Sequence, residues 1–268
     1  MSNAMLKTGC GEALKLHRRA TFGEVSNRAR TRVVPASTTS ASEPGVAPIS
    51  NLIIGGSADS AVGRGRGRGG ARNHKHRTSL GLTPQQVSNL VAAAAHATTI
   101  GLPFTRMVTV HWQAAGLPLS AMATATGRFL DLLTKALARH GSRTTWIWVH
   151  ENGDEKGGHC HLLFHVPAGL VDKLNRLSIK WLGIITGRPY RARVIRSRPI
   201  GGRLGIEVSQ PELHRVNVDA AMAYVLKGAT PVAGKLFGLD RLDPGGLVVG
   251  RRCSTSQNIG AKAQKERM

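Results

Sequence analysis

The sequence predicts an α+β fold, in which helices pack on an antiparallel sheet that follows a long basic extension. From residue 83 onwards, segments with a helical spacing of apolar residues alternate with short β-branched segments. Residues 1–82 show neither period and are rich in Gly, Pro, Ser and Arg, which is typical of disordered linkers. The 268 residues include 41% hydrophobic residues, so the folded part can bury a core without disulfide bonds.

The first elements of the folded part have recognisable ends. Thr83 before Pro84 is typical of a helix N-terminus, and this helix is predicted to continue to about residue 98. The β-branched segment 106–112 (RMVTVHW) predicts a strand. Residues 119–139 place apolar side chains at helical spacing before Gly141, which predicts a second helix.

A β-hairpin is predicted next. Residues 146–151 (WIWVHE) and 159–166 (HCHLLFHV) both have strand patterns. The turn between them, residues 152–158, is rich in Gly, Asn and Asp, so the two strands are expected to pair. A third amphipathic helix is predicted over residues 168–185.

The last predicted elements are two basic strands and a short helix. The strands are expected at 190–197 and 203–208, and the helix at 219–229, begun by Asn217 or Asp219. The order β-α-β-β-α-β, with an additional helix, matches a ferredoxin-like antiparallel sheet with its helices on one face.

Three regions are therefore expected. Residues 1–82 form a disordered basic extension, residues 83–230 form the folded domain, and residues 231–268 form a second basic extension, partly packed on that domain.

The charge of the chain indicates which class of partner it binds. The net charge is +22 and the isoelectric point is about 11.4, which favours a polyanion, either nucleic acid or an anionic membrane surface. Residues 1–80 carry a net +9 and the remainder +13. The Gly-Arg repeat with Arg64, Arg66 and Arg68 resembles flexible segments that hold nucleic acid nonspecifically, and a solvated charged linker is the alternative.

The cysteine spacing and the lengths of the apolar runs argue against disulfide-bonded, cysteine-zinc and membrane-spanning proteins. Cys10, Cys160 and Cys253 are odd in number, far apart and outside any CxxC pair, which argues against a disulfide framework or a cysteine zinc site. The sequence has no apolar run of membrane-spanning length and no signal-peptide pattern at its start, so a cytoplasmic protein without a membrane partner is expected.

The predicted hairpin carries a metal-binding pattern. Along the strand 159–166, His159 and His161 lie on one face, about 6.6 Å apart, while the even positions form an apolar face. Pairing across the hairpin brings Glu151 opposite His159. Two imidazoles and a carboxylate with open positions suit a divalent ion. The alternative is that the histidines are ordinary strand residues facing solvent.

A second pattern is Tyr-x-x-Lys on the last predicted helix. Tyr224 and Lys227 are three residues apart and therefore share a helix face. The ammonium would stabilise a phenolate, or the phosphate that it attacks. A half-buried tyrosine beside a solvated lysine is the alternative.

Together these patterns resemble the HUH endonucleases, the superfamily of rolling-circle replication initiators, relaxases and single-tyrosine transposases. The His-hydrophobe-His of residues 159–161 and the Tyr-x-x-Lys of residues 224–227 are similar to the second and third family motifs. Residues 106–112 are similar to the first, and the resemblance covers roughly residues 100–230.

The resemblance implies a role for each residue. His159 and His161 would ligate Mg²⁺ or Mn²⁺, with Glu151 as the third ligand. Tyr224 would attack the scissile phosphate in line and leave a 5′-phosphotyrosine and a free 3′-OH, assisted by the charge of Lys227. His150 and His165 are weaker candidates for ligands.

A single tyrosine of this kind is similar to the replication-initiator and transposase branches and departs from mobilisation relaxases. The expected function is therefore DNA nicking and joining on single-stranded or hairpin DNA, as a rolling-circle initiator. Residues 228–236 do not match a phosphate-binding loop, so unwinding is expected from a host helicase in trans. The alternatives are a single-tyrosine transposase or relaxase, a noncatalytic nucleic-acid-binding protein and a zinc hydrolase.

Basic side chains outside the extension are expected to contact nucleic acid. They lie in the predicted strand 190–197 and in the C-terminal tail, which could instead be frayed. The candidates are Arg191, Arg193, Arg196, Arg251 and Arg252.

Overall fold

The computed structural model describes residues 76–266. The predicted disorder of the N-terminal extension, and the nucleic-acid role of Arg64, Arg66 and Arg68, fall outside the described residues.

Seven strands and seven α-helices are present in the described part of the chain. The strands are β1 (Thr78–Ser79), β2 (Arg106–Val110), β3 (Trp146–Gly153), β4 (Gly157–Phe164), β5 (Ile195–Pro199), β6 (Val248–Val249) and β7 (Cys253–Thr255). The helices are α1 (Pro84–Thr99), α2 (Met122–Ala138), α3 (Val171–Thr186), α4 (Ile206–Ser209), α5 (Pro211–Leu226), α6 (Pro231–Leu236) and α7 (Ala261–Lys265).

Five strands form one antiparallel sheet, which confirms the α+β prediction. Their spatial order is β5-β2-β4-β3-β7, so β2 lies between β5 and β4 although both follow it in the chain. β1 and β6 pair separately as a short ribbon.

Helices cover both faces of this sheet, whereas the sequence predicted helices on one face. The helices α2 and α3 pack with Val108, Trp148 and Leu162 on one face. The helices α1 and α5 pack on the other face, where Ile147 and Leu163 are fully buried. The strands carry apolar residues at successive positions, so either face left open would expose a large apolar area.

The capping signals predicted α1 well. The Thr83 side chain accepts a hydrogen bond from the Gln86 backbone N–H, and the Gln86 side chain accepts one from the Thr83 backbone N–H, which is a complete capping box. The helix ends at Thr99, one residue from the predicted end. The predictions of α2, α3 and the β3–β4 hairpin are confirmed to within a few residues.

The region after α3 differs from the prediction. Tyr190 precedes β5 and lies outside regular structure, because β5 begins only at Ile195. The predicted strand 203–208 is wrong, since Gly205 adopts a left-handed backbone (φ 76°) and the short helix α4 follows it.

Helix α5 begins at Pro211, well before the predicted start at 219. Asn217 lies inside the helix and donates a side-chain hydrogen bond to the Leu213 carbonyl, so it does not cap a helix there. Proline is well tolerated at the first helical position, and it marks the start of α5.

The folded domain also extends further at both ends than predicted. Leu82 is fully buried, and its backbone bonds Gly228 and Thr230. At the other end, β7 pairs with β3 as the fifth strand of the sheet, and Ile259 is fully buried. The described residues after 230 therefore pack on the domain and add a strand to its sheet. No described helix is long and apolar enough to span a bilayer.

Candidate metal centre and nucleophile

The β3–β4 hairpin assembles the predicted cluster. Glu151 pairs directly with His159 across the two strands, as the sequence predicted, and His161 pairs with Val149 on the same face. All three side chains are buried, with 2–3% of their surface exposed. Their backbone positions are fixed by the ladder, so they converge without the help of a loop.

The three side chains fit a divalent metal ion. The Nε2 atoms of His159 and His161 are 3.2 Å apart, and Glu151 Oε2 lies 3.4 Å from the first and 3.3 Å from the second. Two ligand atoms at about 2.1 Å from an ion, at a right angle to each other, are about 3.0 Å apart. Glu151 Oε1 is buried without a hydrogen-bond partner among the described residues, which leaves a second carboxylate oxygen for an ion.

Hydrogen bonds at the far side of each imidazole orient the rings. His159 Nδ1 lies 2.8 Å from the Gly157 carbonyl oxygen, and His161 Nδ1 lies 3.0 Å from Thr109 Oγ1. In a metal-bound state, a proton on each Nδ1 would leave the Nε2 lone pair, which faces the cluster, for the ion. Thr109, on β2, is a residue that the sequence patterns did not identify.

Helix α5 brings Tyr224 and Lys227 to the same place. Val225 and Leu226 anchor the end of the helix in the core, so Tyr224 lies at the rim with 39% of its surface exposed. Its ring centroid lies 5.1 Å from that of His161 and 5.4 Å from Lys227 Nζ. The two sequence patterns, far apart in the chain, therefore meet in one cluster.

Lys227 also contacts the candidate metal cluster. Its Nζ donates a hydrogen bond of 2.5 Å to Glu151 Oε2. Gly228 lies close to the same carboxylate, because a Cβ there would be 3.2 Å from Glu151 Oε1 and 3.4 Å from Gly245 Cα. The sequence placed Lys227 beside Tyr224 but did not predict its contact with the candidate metal ligand.

The charge states of the side chains in the cluster favour the binding of a cation. Burial alone would raise the pKa of Glu151, but hydrogen bonds from His159, His161 and Lys227 outweigh it and hold this pKa well below its usual range. Burial lowers the pKa of His161, against the attraction of Glu151. The cluster therefore combines an ionised carboxylate with a neutral imidazole at neutral pH.

A further histidine, His111, lies beside the cluster. Its ring centroid is 5.4 Å from that of His159, and burial, followed by repulsion from His159 and Arg196, lowers its pKa to about 4. The predicted strand 106–112 contained this residue without marking it, because a lone histidine at a strand end carries no spacing signal.

His150 and His165 are not part of the cluster, which corrects their weaker assignment as ligands. His150 lies on the opposite face, between Thr126 Oγ1 at 2.8 Å and the Arg251 carbonyl at 3.0 Å. Burial lowers its pKa to about 3, so it is a neutral core histidine. His165 Nδ1 donates to the Pro103 carbonyl instead.

The predicted nucleic-acid-binding arginines lie in different parts of the structure. Arg196 is exposed on β5 opposite Thr109, which is itself opposite His161, so these three positions share one sheet face. Arg191 and Arg193 are exposed just before β5. Arg251 is exposed and lines a cleft of about 710 Å³.

Arg252 corrects the prediction for the C-terminal tail. It is 2% exposed, and its guanidinium donates to Ser79 and to the carbonyls of His150, Gly245 and Gly246. Because its donors are used within the fold, Arg252 ties the β1–β6 ribbon to β3 and is not available to contact nucleic acid.

Comparison of the chain with protein-family models, curated proteins and solved structures found no match.

Proposed function

We propose that the protein is a metal-dependent DNA nicking and joining enzyme of the HUH type, acting as a rolling-circle replication initiator. The observation that carries this proposal is the contact between the two patterns. A partly exposed tyrosine lies against one imidazole of a His-His-Glu cluster, and a lysine bridges the two. A metal centre that serves only the fold has no need of such a neighbour.

In the proposed reaction, Glu151, His159 and His161 would hold Mg²⁺ or Mn²⁺, which would supply Lewis-acid polarisation of the scissile phosphate. Tyr224 Oη forms a bond to phosphorus as the bond to the 3′-oxygen breaks. The phenol proton leaves to solvent, and the departing 3′-oxygen takes up a proton to become a free 3′-OH. The reverse attack by a 3′-OH restores Tyr224 and rejoins the strand.

Two features of the fold support the HUH assignment. The elements β2-α2-β3-β4-α3-β5 follow the order β-α-β-β-α-β, and the four strands lie in the order β5-β2-β4-β3. Both agree with a ferredoxin-like core, to which α1, α5 and β7 are additions.

Exposed cations near the cluster support a DNA substrate. Arg196 and Lys156 are exposed, and both lie close enough to His111 to lower its pKa. Lys and Arg side chains neutralise the phosphate backbone, and an accessible tyrosine suits a single strand or the unpaired part of a hairpin. The chain lacks a phosphate-binding loop, so a host helicase would unwind the duplex in trans.

A covalent adduct tests the proposal. The full chain is incubated with end-labelled single-stranded DNA and Mn²⁺, denatured, and digested for peptide mapping. The expected result is a denaturant-resistant adduct on the peptide that contains Tyr224, formed only with the divalent ion. DNA attached to another residue would overturn the assignment.

A zinc hydrolase is the second candidate, because two histidines and a glutamate also suit Zn²⁺. The observation in its favour is the burial of all three candidate ligands, which shields the cluster from solvent. Phosphodiester hydrolysis without any adduct, supported by Zn²⁺ and unaffected by the loss of the Tyr224 hydroxyl, would favour it over the nickase.

A further inference from the structure

Lys227 lies between two carboxylates. Its Nζ is 2.5 Å from Glu151 Oε2 and 3.8 Å from Asp243 Oδ2, and only 12% of its side chain is exposed. Asp243 follows α6, and the predicted site did not include it. The ammonium therefore has one close partner in the cluster and a second at the rim.

Asp243 is held in place beside Lys227. Its backbone N–H donates to the Lys227 carbonyl oxygen at 2.9 Å, and its carboxylate contacts the Arg241 guanidinium at 3.0 Å. Because the backbone of Asp243 is tied to the residue whose side chain it faces, the distance between the two groups depends little on the rest of the loop.

The close contact of Lys227 conflicts with a metal ion. Glu151 Oε2 is the oxygen nearest to both histidine Nε2 atoms, and the same oxygen accepts the hydrogen bond from Lys227. An ion and an ammonium on one oxygen would be only a few ångströms apart and would repel each other. Coordination through Glu151 Oε1 would still leave the ion and the ammonium on one carboxylate, so the ion binds more tightly if Lys227 moves away.

We propose that Asp243 is a positioning residue that receives Lys227 when a divalent ion occupies the cluster. This inference rests on the proposed metal centre. A shift of about 1 Å brings Nζ from 3.8 Å to hydrogen-bond distance from Asp243 Oδ2, within the freedom of a lysine side chain. The ammonium then leaves Glu151 to the ion and stays beside Tyr224, where a phosphate would bind.

In this arrangement Lys227 competes with the ion for Glu151, and Asp243 weakens that competition. Without Lys227 the ion meets no competing cation, so its affinity rises. Without Asp243 the displaced ammonium has no second carboxylate, so the affinity falls. When Lys227 is replaced, no ammonium moves to Asp243, so the loss of Asp243 has little effect on the affinity for the ion.

The experiment is a double-mutant cycle on Mn²⁺ affinity, measured by isothermal titration calorimetry on the full chain without DNA. We expect Lys227→Met to bind Mn²⁺ at least about threefold more tightly and Asp243→Asn at least about threefold more weakly, with the double variant close to Lys227→Met alone. Asp240→Asn, an exposed aspartate in the same loop, is the matched control for loss of one negative charge.

Two results would overturn the inference. An unchanged Mn²⁺ affinity in Asp243→Asn is one, and an equal effect of Asp243→Asn with and without Lys227 is the other, because that describes simple attraction between a carboxylate and an ion. Lys227→Gln is a second variant that keeps a hydrogen-bond donor beside the buried Glu151, and thermal melts check that each variant is folded. Failure of every variant to bind Mn²⁺ would overturn the metal centre itself, while binding without DNA cleavage would overturn only the proposed reaction.

Discussion

Glu151 is the residue through which the parts of the candidate site contact one another. Its carboxylate faces both histidines and Lys227, is 3% exposed, and keeps one oxygen without a partner among the described residues. A buried carboxylate in this position is costly unless cations compensate it. Lys227 compensates it in part, and a divalent ion would do so more completely.

The two tyrosines of the chain form a matched pair for testing the nucleophile. Both Tyr224 and Tyr190 are 39% exposed, but only Tyr224 lies beside a histidine of the cluster and a lysine. We expect Tyr224→Phe to abolish strand cleavage and adduct formation and Tyr190→Phe to leave both unchanged, because a phenol is a weak nucleophile at neutral pH and needs activating neighbours to react. A gel assay for the adduct measures this, and an active Tyr224→Phe variant would contradict the mechanism.

The proposed metal ligands and the proposed DNA contacts should be separable by mutation. We expect His161→Ala to slow cleavage at least about 100-fold, because it removes a ligand, while DNA affinity stays within about twofold, since most of that affinity comes from Lys and Arg contacts. Mn²⁺ titration and fluorescence anisotropy measure the two effects. His140→Ala, at an exposed histidine on the surface, is the control. A parallel loss of cleavage and DNA binding would argue against this division.

At the scale of elements, the hairpin and α5 position the chemistry, and one arginine holds the surrounding strands. The β3–β4 pairing fixes Glu151 and the two histidines, and α5 adds Tyr224 and Lys227 from across the face. Arg252 ties the β1–β6 ribbon and the loop before it to β3. The ribbon therefore depends on a side chain rather than on a longer ladder.

Substitutions of the neighbouring residues Arg251 and Arg252 should therefore have different effects on stability. We expect Arg252→Met to lower the free energy of unfolding by about 3 kcal/mol or more, because it leaves several carbonyl groups without their donor. Arg251→Ala should stay within about 0.5 kcal/mol of the wild type and weaken DNA binding with a smaller salt dependence. Urea denaturation and salt-dependent anisotropy measure the two effects. Equal stability of the two variants would refute the structural role of Arg252.

At the scale of the whole molecule, a compact domain is combined with a large positive charge. Residues 1–75 hold twelve Lys and Arg against four Asp and Glu, a net charge of +8. The candidate catalytic residues all lie beyond residue 150, so the charge before residue 76 is separate from the cluster in sequence. This separation allows the contribution of the extension to be measured by truncation.

Two truncations test the boundary of the domain. Deleting residues 1–75 should weaken nonspecific DNA affinity and flatten its salt dependence, while a short oligonucleotide is still cleaved at saturating concentration. Deleting residues 1–82 should also lower the free energy of unfolding by about 3 kcal/mol or more, because it removes β1 and the fully buried Leu82. Anisotropy and urea denaturation measure the outcomes. Loss of cleavage in the shorter truncation would show that the extension contributes to the active site.

The stability of the domain should fall in mild acid. Burial lowers the pKa of His150 to about 3, so below about pH 6.5 the unfolded chain binds a proton that the folded chain does not. The free energy of unfolding should therefore decrease by about 2 kcal/mol from this residue as the pH falls from 6.5 to 5. Glu151, whose pKa is lowered, adds a constant amount in this window, since its contribution is lost only below the ordinary glutamate pKa of about 4.3.

Urea denaturation at several pH values between 7.5 and 5 measures this dependence. The variant His140→Gln, at an exposed position, is the control for loss of a histidine. A free energy of unfolding that stays constant over this range would show that His150 is not buried as a neutral ring.

The sequence by itself determined the parts of the site that depend on local order. Alternation along β4 placed His159 and His161 on one face, the Gly-rich turn placed Glu151 opposite them, and helical spacing placed Lys227 beside Tyr224. These relations follow from the period of a strand, the closure of a hairpin and the turn of a helix, which act over a few residues.

Only the tertiary structure decided what joins these parts. The contact of Lys227 with Glu151 spans 76 residues of chain, that of Thr109 with His161 spans 52, and that of Arg252 with the His150 carbonyl spans 102. Asp243 likewise reaches Lys227 through a loop that has no repeating pattern. No local period encodes such pairs, because they depend on which faces pack together once the sheet is covered on both sides.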